Sequence, residues 1–149
     1  MVVTSVAAFE RFFRAAADLD VDKTDLKRFQ AFLREKIADL LTIAQARARV
    51  DDRDFIESRD LPITKGLQES IHRFRKLDLA AEVRPMLAEI STRPQLDLAV
   101  AVDVDEELPD VAGGLSLALG QTFGLIDPNV RNPSTAHWER AFRIFDLLL

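Results

Sequence analysis

A long apolar stripe at helical spacing begins near Thr24 or Asp25, and charged residues fill the positions of the opposite face. The stripe consists of Leu26, Phe29, Leu33, Ile37, Leu40, Leu41, Ala44 and Ala48. Asp51 and Asp52 end the pattern, so the predicted helix has about 26 residues and a length of about 39 Å. The fold must therefore pack other elements along one whole face of this helix.

A shorter apolar pattern precedes the long helix. It covers residues 4–17 at helical spacing, and Thr4 or Ser5 is available as its N-cap. The acidic segment 18–22 then breaks the pattern. These residues predict a short helix joined to the long one by an acidic loop.

A third helix is predicted after the long one. Residues 53–58 form an extended connection, and Asp60 is expected to cap a helix that ends near Lys76. Pro62 is acceptable in the first turn of that helix. Residues 4–76 therefore predict a short helix, a long helix and a short helix.

The rest of the chain repeats this order. The predicted segments are a short helix over 79–91, a long helical region over 97–126, a loop over 127–134 and a final helix over 135–149. No alternation typical of β-strands extends beyond a few residues. The sequence thus predicts an all-α protein in which 1–149 is a single compact unit of two repeats, 4–76 and 77–149.

Proline and glycine interrupt the second long pattern. Pro109 is expected either to kink the helix or to start it afresh. Gly113, Gly114, Gly120 and Gly124 follow it, and glycines at this density usually mark close helix crossings. We therefore predict that this face packs against the first long helix at short axial distance.

The connection after the long helix carries the pattern Arg53-Asp54-Phe55-Ile56-Glu57-Ser58-Arg59-Asp60-Leu61. It resembles the second loop of histones, in which an arginine precedes a short extended segment and an aspartate seven positions later opens the third helix. Arg53 and Asp60 match both positions. The resemblance implies a structural ion pair, in which a bidentate guanidinium–carboxylate bridge fixes the loop.

Because the order of helices occurs twice, the chain is similar to a small bacterial family of single-chain double-histone-fold proteins whose function is uncharacterised. Segments 19–23, 60–69 and 147–149 contribute to this resemblance. It implies two histone folds in tandem that form an intramolecular pseudo-dimer. The central crossing would combine the glycine-bearing helix with Leu33, Ile37, Leu40 and Leu41. The second repeat departs from the pattern, since Trp138 lies seven residues after Arg131.

Composition narrows the class of protein. The chain contains no cysteine, which excludes disulfides, thiolate metal sites and a cysteine nucleophile. Hydrophobic residues make up 48% and charged residues 30%, a balance typical of a folded globular protein. No apolar stretch reaches the roughly 18 residues of a membrane-spanning helix, and no signal peptide is recognisable. We expect a cytoplasmic protein that does not enter a membrane.

DNA binding is the alternative function that the histone resemblance implies. Histones grip phosphates through their paired loops, but here segment 18–22 is acidic, and carboxylates repel phosphates. The net charge is +2 over residues 1–76 and −7 over 77–149, so neither half is strongly basic. The candidate contacts, which with Arg53 would gather at one end of antiparallel long helices, are Arg47, Arg49 and Arg93.

Metal and catalytic chemistry find little support in the sequence. Glu69 and His72 form a Glu-x-x-His pair, which is half of the ligand set of a di-iron site in four-helix bundles. His137 has no glutamate three residues before it, so the other half is missing, and His72 is expected at the surface. A metal-dependent oxidoreductase therefore stays only a third alternative, and we predict no metal and no cofactor.

Acid–base catalysis could use the carboxylates around Pro109, which are Asp103, Asp105, Glu106, Glu107 and Asp110. Such a run is better explained as the solvated, acidic start of a helix. Glycine-rich phosphate loops and nucleophile motifs do not occur. We predict no catalytic residues and a protein that is not an enzyme.

Protein association is the function that we predict instead. The resemblance implies a fold that is itself a dimerisation device, since one copy cannot bury its long helix. Here the second repeat supplies the partner, and the expected role is non-catalytic protein–protein association or an architectural one. The final helix is apolar on more than one side and would be an interface if exposed, although we expect the first repeat to bury it. Its apolar residues are Phe142, Ile144, Phe145, Leu147, Leu148 and Leu149.

Overall fold

Helices account for most of the computed structural model, which describes residues 6–149 and contains six α-helices and two short strands within that range. The helices are α1 (Val6–Ala17), α2 (Lys23–Val50), α3 (Lys65–Arg75), α4 (Ala80–Ile90), α5 (Val102–Ile126) and α6 (Thr135–Leu148); the strands are β1 (Phe55–Ile56) and β2 (Ala99–Val100). The prediction of a mostly helical protein is confirmed. The proposed N-cap at Thr4 or Ser5 lies outside the described residues.

Helix α2 begins with a capping box. The Asp22 carboxylate accepts hydrogen bonds from the amides of Thr24 (2.9 Å) and Asp25 (3.1 Å), and the Asp25 carboxylate accepts from the Asp22 amide (3.1 Å). These bonds satisfy amides that have no partner within the helix. All eight apolar residues of the predicted stripe are buried in the core.

The third helix begins later than predicted. Asp60 belongs to a short 3₁₀ turn, Ser58–Asp60, and α3 starts at Lys65, where the Thr64 hydroxyl caps it by accepting from the Leu67 amide (3.2 Å). The prediction that Asp60 caps this helix, with Pro62 in the first turn, is therefore wrong. Proline disfavours helical backbone in the residue before it, and Leu61 is accordingly extended (φ −66°, ψ 127°).

The second long helix is also shorter than predicted. Residues 99–100 form β2 and pair in parallel with β1, with Phe55 opposite Ala99 and Ile56 opposite Val100. Helix α5 starts at Val102 and continues through Pro109 as one helix, so a fresh start at that proline does not occur. Its predicted start at residue 97 is wrong, because residues 99 and 100 pair with β1 as a strand before the helix begins.

Loops meet at both ends of the long helices. At one end, the segment between α2 and α3 pairs with the segment between α4 and α5, and the Ala101 amide donates to the Ile56 carbonyl (2.9 Å). At the other end, the segment between α1 and α2 meets the segment between α5 and α6, where the Asp20 amide donates to the Arg131 carbonyl (2.6 Å). The second loop of each half thus contacts the first loop of the other.

The glycines of α5 mark close crossings, but with other neighbours than predicted. A Cβ at Gly113 would overlap the Phe74 ring of α3, and a Cβ at Gly114 would lie 2.5 Å from Ile71 Cγ1 and 2.8 Å from the Ile71 backbone nitrogen. Gly120 approaches α1 at Ala17, while Gly124 has open space around it. The expectation that these glycines face α2 is wrong, because their spacing requires a close neighbour without specifying which helix supplies it.

Within residues 6–149, no helix is both long enough and apolar enough to cross a membrane. The longest helix, α2, has 28 residues, but charged side chains cover its outer face. Helix α5 is more apolar and lies in the core, where α1, α2, α3, α4 and α6 all contact it.

We predict opposite effects for two alanine substitutions in α5. Gly114→Ala should lower the free energy of unfolding by about 1–3 kcal/mol, because the new methyl group meets Ile71 backbone that no rotamer change can move. Gly124→Ala should raise it by about 0.5–1 kcal/mol through helix propensity alone. Urea unfolding of both variants measures the two effects, and equal effects would contradict the close approach of α3 to α5.

Candidate functional site

Arg53 and Asp60 form a bidentate ion pair within the segment that connects α2 to α3. Arg53 Nη1 donates to Asp60 Oδ2 (2.7 Å), and Nη2 donates to Oδ1 (2.6 Å). The carboxylate, whose side chain is 4% exposed, also accepts from the Glu57 amide (2.8 Å). The hydrogen bonds from Arg53 lower the pKa of Asp60 to about 2. The pair therefore ties the segment after α2 to the 3₁₀ turn.

The candidate nucleic-acid contacts lie at this same end, where α2 ends and α5 begins, and each has an acceptor within the protein. Arg49 Nη2 lies 2.6 Å from Asp97 Oδ2, and Arg93 Nε lies 3.0 Å from Asp105 Oδ1. Arg47 Nη1 is 3.4 Å from the Asp60 carbonyl oxygen, at the edge of hydrogen-bonding distance. A phosphate at this end would have to compete with carboxylates for Arg49 and Arg93.

The residues considered for metal binding do not converge. Glu69 pairs with Lys65 on the surface of α3 (3.2 Å), and His72 is exposed. Among residues 6–149, no group of three or more His, Asp or Glu side chains could hold a metal ion. His137 helps to cap α6, since Nδ1 accepts from the Ser134 amide (2.9 Å) and Nε2 donates to Asp127 Oδ2 (3.1 Å).

Trp138 supplies a second polar connection between distant segments. Its Nε1 donates to Asp25 Oδ1 (2.8 Å), and both side chains are buried. Burial raises the pKa of Asp25, and the hydrogen bonds from the Asp22 amide and from Trp138 oppose this effect. The start of α2 is therefore fixed to the first turn of α6 by Trp138, which lies seven residues after Arg131, where the second half lacks a counterpart of Asp60.

An ion pair between a buried lysine and a half-exposed aspartate joins α2 to the end of α6, and sequence reasoning missed it. The Lys36 side chain is 2% exposed, and Nζ lies 2.5 Å from Asp146 Oδ1 and 3.6 Å from Asp39 Oδ2. Lys36 lies between Leu33 and Leu40 on the apolar stripe of α2, three and four residues away. A lysine at that spacing is the signal that could have identified a buried cation.

Helix α6 exposes part of its apolar surface. Its Phe145 is buried against Phe32 of α2 (ring centroids 4.9 Å apart), and Ala141 is buried as well. Leu147 and Leu148, however, are 84% and 73% exposed, and Ile144 is 37% exposed. The expectation that the first repeat covers both sides of this helix is wrong, because α6 packs on α2 and α5 while a gap separates it from α3.

Two apolar hollows border the end of α6, and the larger one lies in that gap. The larger, of about 350 Å³, has α5 as its floor and α3 and α6 as its walls. Leu67, Leu115, Ala118, Ile144, Phe145 and Leu148 contribute its apolar lining. The smaller, of about 140 Å³, lies between Ile43 and Pro62, and the two share Thr64, Leu148 and Leu149. We call these hollows, with the exposed Ile144, Leu147 and Leu148, the α6 surface.

Comparisons with known proteins identify relatives over most of the chain. Residues 9–146 match the family described as a domain of unknown function, DUF1931. A protein of Aquifex aeolicus (strain VF5), named only as an uncharacterized protein, is 32% identical over 108 residues. The match covers 72% of this chain and 63% of the relative, so it spans less than two thirds of that protein's length.

Two solved structures share the arrangement of helices. A crystal structure of a protein from Thermus thermophilus is 50% identical and has a TM-score of 0.87, covering 99% of this chain and 100% of that one. The 1.9 Å crystal structure of protein AQ328 from Aquifex aeolicus is 28% identical with a TM-score of 0.84, covering 96% of this chain and 94% of that one. The fold described above is therefore common to these proteins.

We predict that Asp60→Asn destabilises the protein and reduces its sensitivity to acid. Because the pKa of Asp60 is lower in the folded protein than its usual 3.8, the ion pair contributes fully above about pH 5 and is lost as the pH falls towards 2. The variant should lose about 2 kcal/mol at pH 7, and its stability should fall less between pH 5 and pH 2. Urea unfolding across this range, with the exposed Asp54→Asn as control, measures both effects; equal behaviour of the two variants would contradict the role of the pair.

For the ion pair between Lys36 and Asp146, we predict that substitutions of the two partners have different effects on stability. Asp146→Asn leaves the Lys36 ammonium buried with only the more distant Asp39, and should cost about 2 kcal/mol or more of unfolding free energy. Lys36→Met removes the buried charge itself and should be nearly neutral or stabilising. Thermal unfolding of both variants distinguishes these outcomes, and a larger loss for Lys36→Met would show that the ion pair, not apolar packing, holds α6.

Proposed function

We propose that this chain, which belongs to the DUF1931 family, is a non-catalytic protein that acts by protein–protein association and is built from two histone folds in tandem. The exposed apolar part of α6 beside two apolar hollows carries the proposal. Exposed apolar residues that cluster around a concave surface are typical of interaction sites.

The order and contacts of the elements support the tandem histone fold. Helices of 12, 28 and 11 residues are followed by helices of 11, 25 and 14 residues. The loops meet crosswise, since the second loop of each half contacts the first loop of the other. Two copies related by an approximate two-fold axis would produce this reciprocal contact. The halves 4–76 and 77–149 are thus proposed to be the two members of a pseudo-dimer.

A non-catalytic role is supported by the structural hydrogen bonds that the polar side chains form. Asp60 is bound by Arg53, Asp25 by Trp138, and His137 serves the first turn of α6. Two carboxylates at the start of α5 also have a partner, because the Ser58 hydroxyl lies within hydrogen-bonding distance of Asp103 (3.1 Å) and Glu107 (2.8 Å). Asp60, Asp25, His137, Asp103 and Glu107, which could have served acid–base chemistry, thus all have structural partners, which favours a scaffold over an active site.

Association through the α6 surface can be tested by crosslinking in cells. A photoactivatable phenylalanine analogue at Leu147 should give covalent adducts, because this side chain is 84% exposed and neighbours Leu148, which lines both hollows. The same residue at Val50, which is 83% exposed at the far end of α2, is the matched control. Adducts from position 147 and few from position 50 support association. Equal yields, or none from 147, would remove the proposed surface.

The alternative function, DNA binding through Arg47, Arg49 and Arg93, can be tested separately. Because Arg49 and Arg93 face carboxylates, we expect no salt-sensitive binding of labelled duplex DNA between about 50 and 200 mM salt. The variant with all three arginines changed to alanine should behave as the unmodified protein does in electrophoretic shift experiments. Salt-sensitive binding that this variant loses would replace association by the DNA-binding alternative.

A further inference from the structure

We propose that the α6 surface is the interface of a dimer, and that its occupant is the same surface of a second copy of this chain. The inference rests on the proposed function in association and names its partner. In such an isologous interface, each copy contributes the same residues, so the surface must be complementary to itself. The shape, the size and the charge of the α6 surface each bear on this requirement.

The shape is self-complementary because a ridge and a hollow lie side by side. Leu147 and Leu148 project from the last turn of α6. The larger hollow lies directly beside them, and Leu148 itself forms part of its wall. A two-fold axis near this turn would place the leucines of each copy against the hollow of the other. Both copies would then bury their exposed apolar side chains in one step.

The extent of the surface approaches that of a stable interface. The two hollows are continuous through Thr64, Leu148 and Leu149, and they are lined by residues from α2, α3, α5 and α6 together with the segment before α3. With the exposed side chains and the charges around them, the surface comes close to the roughly 20 residues per partner of a standard-sized interface. A small ligand would fill one hollow and leave Leu147 in water, whereas a second copy covers both.

The charges around the surface suit a second copy as well. The chain carries a net charge of −5, but the rim holds both signs, with Lys65, Arg140 and Arg143 beside Glu69 and Asp146. Among the described residues, Arg140 and Arg143 form no ion pair. Their position on α6, one turn before Ile144 and Leu147, brings them to the edge of the apolar part. Within one copy Glu69 pairs with Lys65 and Asp146 with Lys36, but both carboxylates are more than half exposed (61% and 57%). Each can therefore accept a second cation, Arg140 or Arg143, from the other copy.

Two other exposed apolar side chains, Val50 and Val102, lack this arrangement. Val50 borders a hollow lined otherwise by Arg47, Asp51, Arg59 and Asp60, whose charged groups would have to lose water on contact with an apolar partner. Val102 is 73% exposed, as is Leu148, but it lies in the first turn of α5 at that same end. These two valines provide controls of matched exposure.

Sedimentation equilibrium of the purified chain over a range of concentrations tests the dimer. We expect a mass of twice 16.8 kDa at high concentration, and a dissociation constant that Leu147→Glu together with Leu148→Glu raises at least about 30-fold. Val50→Glu together with Val102→Glu should leave it unchanged. Circular dichroism and thermal unfolding establish that both double variants are folded, which their exposure favours.

A second measurement locates the interface independently of substitutions that add charge. The chain has no cysteine, so Leu147→Cys and Val50→Cys each introduce a single thiol. A short bismaleimide should join two copies through position 147 and not through position 50.

Three results would overturn the proposed interface. They are a chain that stays monomeric at all concentrations, a dimer that the leucine substitutions leave intact, and a dimer that crosslinks only through position 50. If position 147 nevertheless captures another protein in cells, the second copy is the wrong occupant while association stands; if it captures nothing, both proposals fail.

Discussion

Burial of α5 is the constraint on which the positions of the other helices depend. Five helices contact it, and residues 111–117 are buried without interruption. A helix that is covered on several sides needs small residues where a neighbouring axis comes close, and Gly113 and Gly114 meet this need beneath α3. The short helices α3 and α4 have 11 residues each and would be marginal alone. Their stability comes from the apolar surface that α5 offers them.

Carboxylates that accept several hydrogen bonds fix the relative positions of segments that apolar packing alone does not determine. These are Asp60, bound by Arg53; Asp25, bound by Trp138; and Asp110, bound by Arg75 and Arg84. A partly buried carboxylate without donors is costly, and a charge-assisted hydrogen bond tolerates little misplacement. Each therefore sets the register of the segments that it joins. Different pairs fix the two ends of α2, since an arginine–aspartate pair fixes the segment after it and an indole–aspartate pair fixes its start to α6.

Periodicity was sufficient to predict the helices from the sequence, because the stripe of α2 and the pattern of α6 reflect burial on one face. It was insufficient where two local signals competed. Both Asp60 and Thr64 could cap α3, and the proline between them decides in favour of Thr64. Exposure of Leu148 depends on where α3 lies relative to α6, and the buried Lys36 is paired with Asp146, 110 residues away. Such long-range contacts leave only indirect marks in one sequence.

The composition of the last turn of α6 is the strongest reason to place the proposed association there. Within the fold, this helix is already held by Phe145, by Trp138 and by the Lys36–Asp146 pair. Polar side chains at positions 147 and 148 would leave those contacts intact and would lower the risk of aggregation that exposed leucines bring. Packing within the chain therefore does not account for leucine at either position. The proposed partner would account for it, because burying both side chains on association would contribute several kcal/mol.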